Sequence, residues 1–193
     1  MDRYPGEFYE MHQQLFDEVC TNSAPVELGG VELAGVELVK FEPHKSYYYL
    51  TEPKLASLDG IVISGSASGA YDKDEWIVQL CEVIRDYHQK QIKLSGPSFA
   101  PQIVAEALRR KVEPNPPGTE LSVVTINLAS AAQRYFGTER ASYNIQVHHT
   151  DVVTRLPDGA VSLGTSGVTE YLGWMLDRHI LVFSGHPEYS HDP

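Results

Sequence analysis

SGPSFAPQ, residues 95–102, is the stretch on which the fold turns. It follows the short apolar alternation QIKL (91–94) and runs directly into the helical pattern IVAEALRR (103–110). A strand over Ile92–Leu94 and a helix over Gln102–Arg110 are therefore expected, with a sharp turn between them. A strand that turns abruptly into a helix is the layout of a nucleophile elbow, which exposes one reactive side chain at its tip. That side chain is Ser98. The elbow wants small residues two before and two after the tip, because strand and helix approach closely there. Gly96 meets the first requirement, whereas Ala100 adds a methyl to the second. Pro101 suits a first helical turn, where a missing N–H donor is of little consequence. Taken alone, the pattern equally describes an ordinary strand–turn–helix junction.

Working outward, LDGIVISGSASGAYD (58–72) reads as a buried strand at Ile61–Ile63 ending in a Gly/Ser-rich turn able to present N–H groups to an anion. DKDEWIVQLCEVIRDYHQK (72–90) reads as a helix, with acidic residues in its first turn and Trp76, Leu80, Val83 and Ile84 at helical spacing. Phe8, Met11, Leu15 and Val19 place an amphipathic helix over 6–20. The pentads VELGG, VELAG and VELVK (26–40) are too few for a solenoid and read as a turn-rich lead into a strand at Val36–Phe41. SYYYLTEPK (46–54) reads as a connection whose tyrosines line a pocket or simply pack. Beyond NPPG the pattern turns to strands in LSVVTINL, NIQVHHTDVV, AVSLG and HILVFSG. Such alternation predicts one α/β domain over 1–193, an open, mostly parallel sheet flanked by helices.

A second candidate segment is SGHPEYSHDP (184–193), in which His186 and Glu188 emerge from the apolar strand ILVF. A histidine there can act as general base, and a nearby carboxylate can fix its tautomer. The plainer alternative is a surface turn. His191 and Asp192 would have to complete any metal set, and the spacing matches no known site, so no metal or other cofactor is expected. In QVHHTDVV, His148 and His149 alternate faces, one towards the core or the site and one towards water.

Composition narrows the functions. The 193 residues carry 26 acidic against 15 basic side chains, a net charge of −11, and no basic run. A surface of that sign repels phosphate backbones, so nucleic acid is not expected as a partner. No apolar run spans a bilayer, and MDRYPGEF is no signal peptide. The two cysteines, Cys20 and Cys81, make no disulfide framework, and a reducing, cytoplasmic setting is expected.

Taken in order, the segments resemble a class I glutamine amidotransferase of the stand-alone type, whose fold is flavodoxin-like. DGIVISGSASGAYDKDEWI resembles that family's oxyanion-loop region, and SGPSFAPQIVAEALRRKVEPNPPG its G-x-C-x-G-H-Q nucleophile segment with the N-P-x-G that follows. NIQVHHTDVVTRLPDGAVSLGTS resembles its His-x-Asp strand pair, and GHPEY its H-P-E. The resemblance implies Ser98 as nucleophile, His186 as base and Glu188 as orienting acid. It implies an oxyanion hole from Gly65 and the N–H of Phe99, with Gln102, Ser66, Tyr71 and His149 on the substrate side. In the family a cysteine attacks a side-chain amide, a thioester forms, ammonia leaves and water releases glutamate.

The departures from that pattern lie at the centre of the site. Ser98 stands where the family has cysteine, Ala100-Pro101 where it has Gly-His, and Arg109-Arg110 where it has the Gly-Gly that ends the helix, which puts a left-handed cap there in question. Several changes in one turn point to divergence, with ordinary glutaminase activity lost. The usual first strand and C-terminal segment are also expected to be lacking, and a sheet edge so exposed would favour a homo-oligomer. Three readings follow: a repurposed enzyme using His186 and Glu188 in acid–base or acyl chemistry on a small molecule, a Ser98–His186–Glu188 hydrolase, or a non-catalytic relative that binds a ligand or partner.

Overall fold

The structure is a computed structural model that describes residues 8–22, 36–42 and 52–189. Contacts divide the chain into two units, Met1–Phe41 with Pro187–Pro193, and Glu42–His186. The first two pentads, the three tyrosines at 47–49, His191 and Asp192 lie outside the described residues.

In the first unit, the expected amphipathic helix is α1 (Phe8–Asn22). The strand expected at Val36–Phe41 does not form: residues 36–42 carry no regular secondary structure. Helix side chains satisfy that backbone where a neighbouring strand would. Gln13 Nε2 donates to the Val36 carbonyl at 3.1 Å, Gln13 Oε1 accepts from the Leu38 N–H at 3.4 Å, and the Tyr9 hydroxyl donates to the Leu38 carbonyl at 3.1 Å. Backbone groups supplied in this way have no need of a β ladder.

The second unit carries the sheet. Its elements in chain order are α2 (Glu52–Leu55), β1 (Ile61–Val62), α3 (Glu75–Gln89), β2 (Leu94–Pro97), α4 (Phe99–Ala107), β3 (Val112–Pro114), β4 (Glu120–Leu128), α5 (Ser130–Phe136), β5 (Ser142–His149), β6 (Asp151–Val153), β7 (Val161–Thr165), β8 (Gly173–Leu176) and β9 (Ile180–Phe183). Among the described residues, seven strands form one sheet in the order β1-β2-β9-β8-β7-β4-β5, and β3 pairs with β6 in a second, two-stranded sheet. β1, β2 and β9 are parallel neighbours, and the pairings from β9 through β8, β7 and β4 to β5 are antiparallel. This is the expected α/β class.

Helix α3 buries Ile77, Cys81, Ile84 and Tyr87, one stripe at helical period. Trp76, Leu80 and Val83 flank that stripe as partly buried packing. The helix closes when the Gln91 N–H bonds to the His88 carbonyl and the Ile92 N–H to the Tyr87 carbonyl, with Gln91 at φ +57°. That is a Schellman closure. It consumes Ile92, which is why β2 begins at Leu94, two residues later than the apolar alternation suggests. Helix α4 buries every residue but Glu106, so it forms the centre of the core rather than an amphipathic cover.

Helix α4 also begins earlier than expected, at Phe99, which puts Pro101 in the first turn. It ends at Ala107, and its left-handed cap is present without a glycine. Arg109 takes φ +58°, its N–H bonds to the Glu106 carbonyl at 2.9 Å, and the Arg110 N–H bonds to the Ala105 carbonyl at 2.8 Å. Arg110 then pairs with Asp158.

Candidate active site

Three parallel strands open at one end of the sheet. The register sets Ile61 beside Leu94 and Leu94 beside Ile180, and runs on to Pro97 beside Phe183. The chain leaving β1 is the 64–70 loop, the chain leaving β2 is Ser98, and the chain leaving β9 reaches His186. Carboxyl ends of adjacent parallel strands are where open α/β sheets place their ligands.

Ser98 sits between β2 and α4 with φ +56° and ψ −94°, and it is buried. A non-glycine residue in that region costs about 1–3 kcal/mol and persists only when its surroundings enforce it. The enforcement is visible next door. A Cβ on Gly96 would lie 2.1 Å from the Ile63 carbonyl oxygen and 2.8 Å from the Ala100 Cβ. Strand β1, the elbow and α4 therefore meet at one point with no spare volume. Ala100 itself is fully buried, and its methyl occupies the space that Gly96 leaves. The elbow thus accommodates the extra methyl, and Pro101 lies in the first helical turn, where its missing N–H is of little consequence. Phe99 is the first residue of α4, where a backbone N–H has no partner within the helix.

The loop after β1 is anchored by the Ile63 N–H to the Ser95 carbonyl at 2.8 Å. Gly65 is half-buried and Ser66 exposed. The Ser66 hydroxyl accepts from the Ser68 N–H at 3.1 Å, and Asp72 Oδ2 accepts from the Gly69 N–H at 2.7 Å. Tyr71 reaches out of the loop: its hydroxyl donates to Asp151 Oδ1 at 3.0 Å. Gln102, buried in the first turn of α4, donates from Nε2 to the Asp151 carbonyl, also at 3.0 Å. Two residues expected on the substrate side thus converge on Asp151.

His186 is buried and held by its N–H to the Gln146 carbonyl at 2.8 Å, next to the Val147–Gly185 bridge. Gly185 is required there, since a Cβ would meet the Ile145 side chain at 2.4 Å. Glu188 belongs to the other unit and is buried.

On β5, His149 is buried and His148 half-buried, so the face alternation holds but neither histidine is fully in water. His149 Nε2 lies 3.2 Å from Glu120 Oε2, its partner across the β4–β5 ladder. Burial lowers the His149 pKa and His186 adds to that, while Glu120 and the Asp151 main chain pull the other way. Its imidazole is therefore held towards the neutral form. Glu120 Oε2 also accepts from the buried Thr169 hydroxyl at 3.3 Å. Sequence reading passes over Glu120, Thr169 and Asp151 as site residues. Asp151 was within reach, as the acid of the His-x-Asp segment, whereas Glu120 becomes visible only with the strand register. Among the described residues, no group of three or more His, Cys, Asp or Glu side chains could hold a metal ion.

Solved structures share this fold. The fold is that of glutamine amidotransferases: one from Methylobacillus flagellatus superposes with a TM-score of 0.67 at 21% identity, over 76% of this chain and 58% of that one. Another from Thermotoga maritima gives 0.59 at 21%, over 66% and 56%. Sequence relatives are more particular. The chain is homologous to γ-glutamyl peptidase 4 of Arabidopsis thaliana, 34% identical over 145 residues, covering 73% of this chain and 58% of that protein. It is 33% identical over 144 residues to γ-glutamyl peptidase 3 of the same plant, over 72% and 58%. A glutamine amidotransferase-like protein of Penicillium rubens is 25% identical over 192 residues, 96% of this chain and 74% of its own length. No protein-family model matches. The chain thus spans just under three fifths of the length of these Arabidopsis relatives. Among the described residues, no helix is long and apolar enough to cross a membrane.

Proposed function

We propose that this protein is a divergent glutamine amidotransferase-like enzyme that carries out acyl chemistry on a small γ-glutamyl compound, with Ser98 as nucleophile. The supporting observation is the conformation of Ser98, a non-glycine residue held at φ +56° on a turn with no room to relax. Backbone strain concentrates where a reacting group must be presented, and this strain survives alongside Ala100 and Pro101. The γ-glutamyl substrate class comes from the names of the homologues. In this scheme His186 takes the Ser98 proton as the hydroxyl oxygen attacks the γ-carbonyl carbon. The N–H groups of Gly65 and Phe99 bind the oxyanion, and Glu188 is the triad acid that the order of motifs assigns. The amine leaves with the proton from His186, and water then releases glutamate from the ester. A serine hydroxyl needs stronger base assistance than a thiol, so the scheme depends on His186 as a full general base, and the leaving group proposed is an amine other than the ammonia of ordinary glutaminase activity.

The test is a fluorophosphonate label combined with turnover of γ-glutamyl amides. Labelling at Ser98, and loss of both labelling and turnover in Ser98→Ala and His186→Ala, supports the scheme. An unlabelled Ser98 in a preparation that turns substrate over refutes it. One observation favours a second reading, acid–base chemistry centred on His186: the Glu120–His149 pair supplies a second histidine held neutral by burial. Under that reading Ser98→Ala retains turnover and His186→Ala abolishes it. Binding of the same compounds with no turnover would assign a binding role instead.

A further inference from the structure

We propose that Asp151 is a positioning residue that ties the oxyanion loop to the elbow helix, with Tyr71 as its latch. This deepens the proposed function and rests on it where turnover is concerned.

The case begins with strand register. Asp151 stands opposite Pro114 in the β3–β6 pair, and the Asn115 N–H bonds to the Thr150 carbonyl at 2.8 Å. In an antiparallel ladder that bond marks Pro114–Asp151 as a non-hydrogen-bonded pair, so the Asp151 carbonyl points away from β3. It is therefore available, and Gln102 Nε2 donates to it at 3.0 Å. The side chain of the same residue accepts from the Tyr71 hydroxyl at 3.0 Å. One residue on a short strand thus holds two elements through two different acceptors. The elements are the first turn of α4, where Gln102 stands three residues past Phe99, and the loop that leaves β1.

That loop needs holding. Between Ile63 and Glu75 it has no helix or strand, and Ser66, Ser68, Gly69 and Asp72 bond among themselves. Such bonds set the shape of a loop but do not fix where it lies. Tyr71 sets its position: the ring packs against the core and the hydroxyl spans the distance to β6. A bond to an ionised acceptor is stronger than a neutral one, which suits a carboxylate to this task. In this role Tyr71 acts through Asp151, which Gln102 ties to α4, setting the separation between Gly65 and the Phe99 N–H, rather than contacting the substrate.

The experiment uses the full chain and two independent readouts. Amide hydrogen exchange across residues 64–72 should rise about fivefold in Tyr71→Phe and in Asp151→Ala, the shift expected from losing one net hydrogen bond. The double variant should exceed neither single one by more than a small factor, because both remove the same bond. Asp151→Asn keeps an acceptor oxygen without the charge and should raise exchange clearly less than Asp151→Ala. With a γ-glutamyl amide as substrate, Tyr71→Phe should lower kcat and leave KM unchanged, as for a group that positions oxyanion donors. If Tyr71→Phe leaves loop exchange at the parent rate, or Asp151→Asn is as disruptive as Asp151→Ala, the latch is wrong. If the parent turns nothing over while exchange behaves as stated, the latch stands and the functional proposal falls. A raised KM with kcat intact would make Tyr71 a substrate contact and overturn the positioning role.

Discussion

Gly96 and Ala100 face each other across the elbow so closely that only one of them can carry a side-chain carbon. A methyl on Gly96 would stand 2.8 Å from the Ala100 Cβ and 2.1 Å from the Ile63 carbonyl oxygen. The second of these is a backbone atom of the residue that follows β1, so the clash cannot be relieved by a rotamer change. Gly96→Ala should therefore destabilise the protein by about 3 kcal/mol or more. Ala100→Gly removes a buried methyl from a helix and should cost about 1–2 kcal/mol without disturbing the turn. Urea unfolding of both variants checks the asymmetry; equal losses would show that the packing at the elbow is looser than described.

Arg109 occupies a left-handed cap position that favours glycine. Relieving it should help. Arg109→Gly is expected to raise stability by about 1 kcal/mol, since the cap hydrogen bonds at Glu106 and Ala105 involve only main-chain atoms. A lower urea midpoint in this variant would mean that the arginine side chain contributes more than its backbone strain takes away.

Two buried histidines make stability depend on pH. Burial lowers the pKa of both His149 and His179; for His179 the neighbouring His88 ring, 2.9 Å away between Nδ1 and Nε2, adds to the shift. A folded-state pKa below the unfolded value of about 6.5 means that the unfolded chain binds more protons. Their contribution is therefore complete above about pH 6.5 and is lost as pH falls towards the lowered values. The urea midpoint should decline from pH 7.5 to pH 5, and His179→Gln should flatten that slope. A midpoint that is constant or rises on acidification contradicts this account.

Cys81 should be nearly inert. Burial, and after it the Glu106 carboxylate, push its thiol up to about 11, with Arg85 and Lys73 acting against them. At pH 8 roughly one molecule in a thousand then carries the thiolate, against about a quarter for a free cysteine. Iodoacetamide should modify Cys81 at least about a hundredfold more slowly than an unstructured cysteine, as read by peptide mapping, and at the ordinary rate in denaturant. Rapid native labelling would place Cys81 in a far wetter setting.

Local signals made much of this fold legible in the sequence, and the misses share a physical cause. Helix α3 announces itself by acidic residues at its start and a periodic apolar stripe. The elbow shows in the way Gly96 and Ser98 sit between a strand and a helix. What failed were boundaries set by hydrogen bonds to other segments: Ile92 is taken by a helix cap, and the backbone at Val36 and Leu38 by Gln13 and Tyr9. Strands β3 and β8 and helix α5 went unread. Of these, β8 carried a usable signal in Trp174, Met175 and Leu176 between Gly173 and Asp177, while three-residue β3 is defined only by its pairing with β6. Around the elbow, the order of motifs put Ser98 and His186 forward as candidates, but Asp151 as a junction and Glu120 as the partner of His149 depend on contacts that no local pattern encodes.

The pairing of β2 with β9 has a consequence for biogenesis. The strand that leads into Ser98 lies between β1 and β9, and β9 is the last of the described strands in chain order. Until residue 183 has been synthesised, the elbow has a neighbour on one side only, and its open edge is a short apolar strand in a nascent chain. The sheet's centre is thus completed by a late, long-range event, the kind of closure that slows folding and exposes edges to aggregation. A message truncated anywhere before β9 would yield a polypeptide that contains Ser98 but lacks the strand that flanks β2 on its second side.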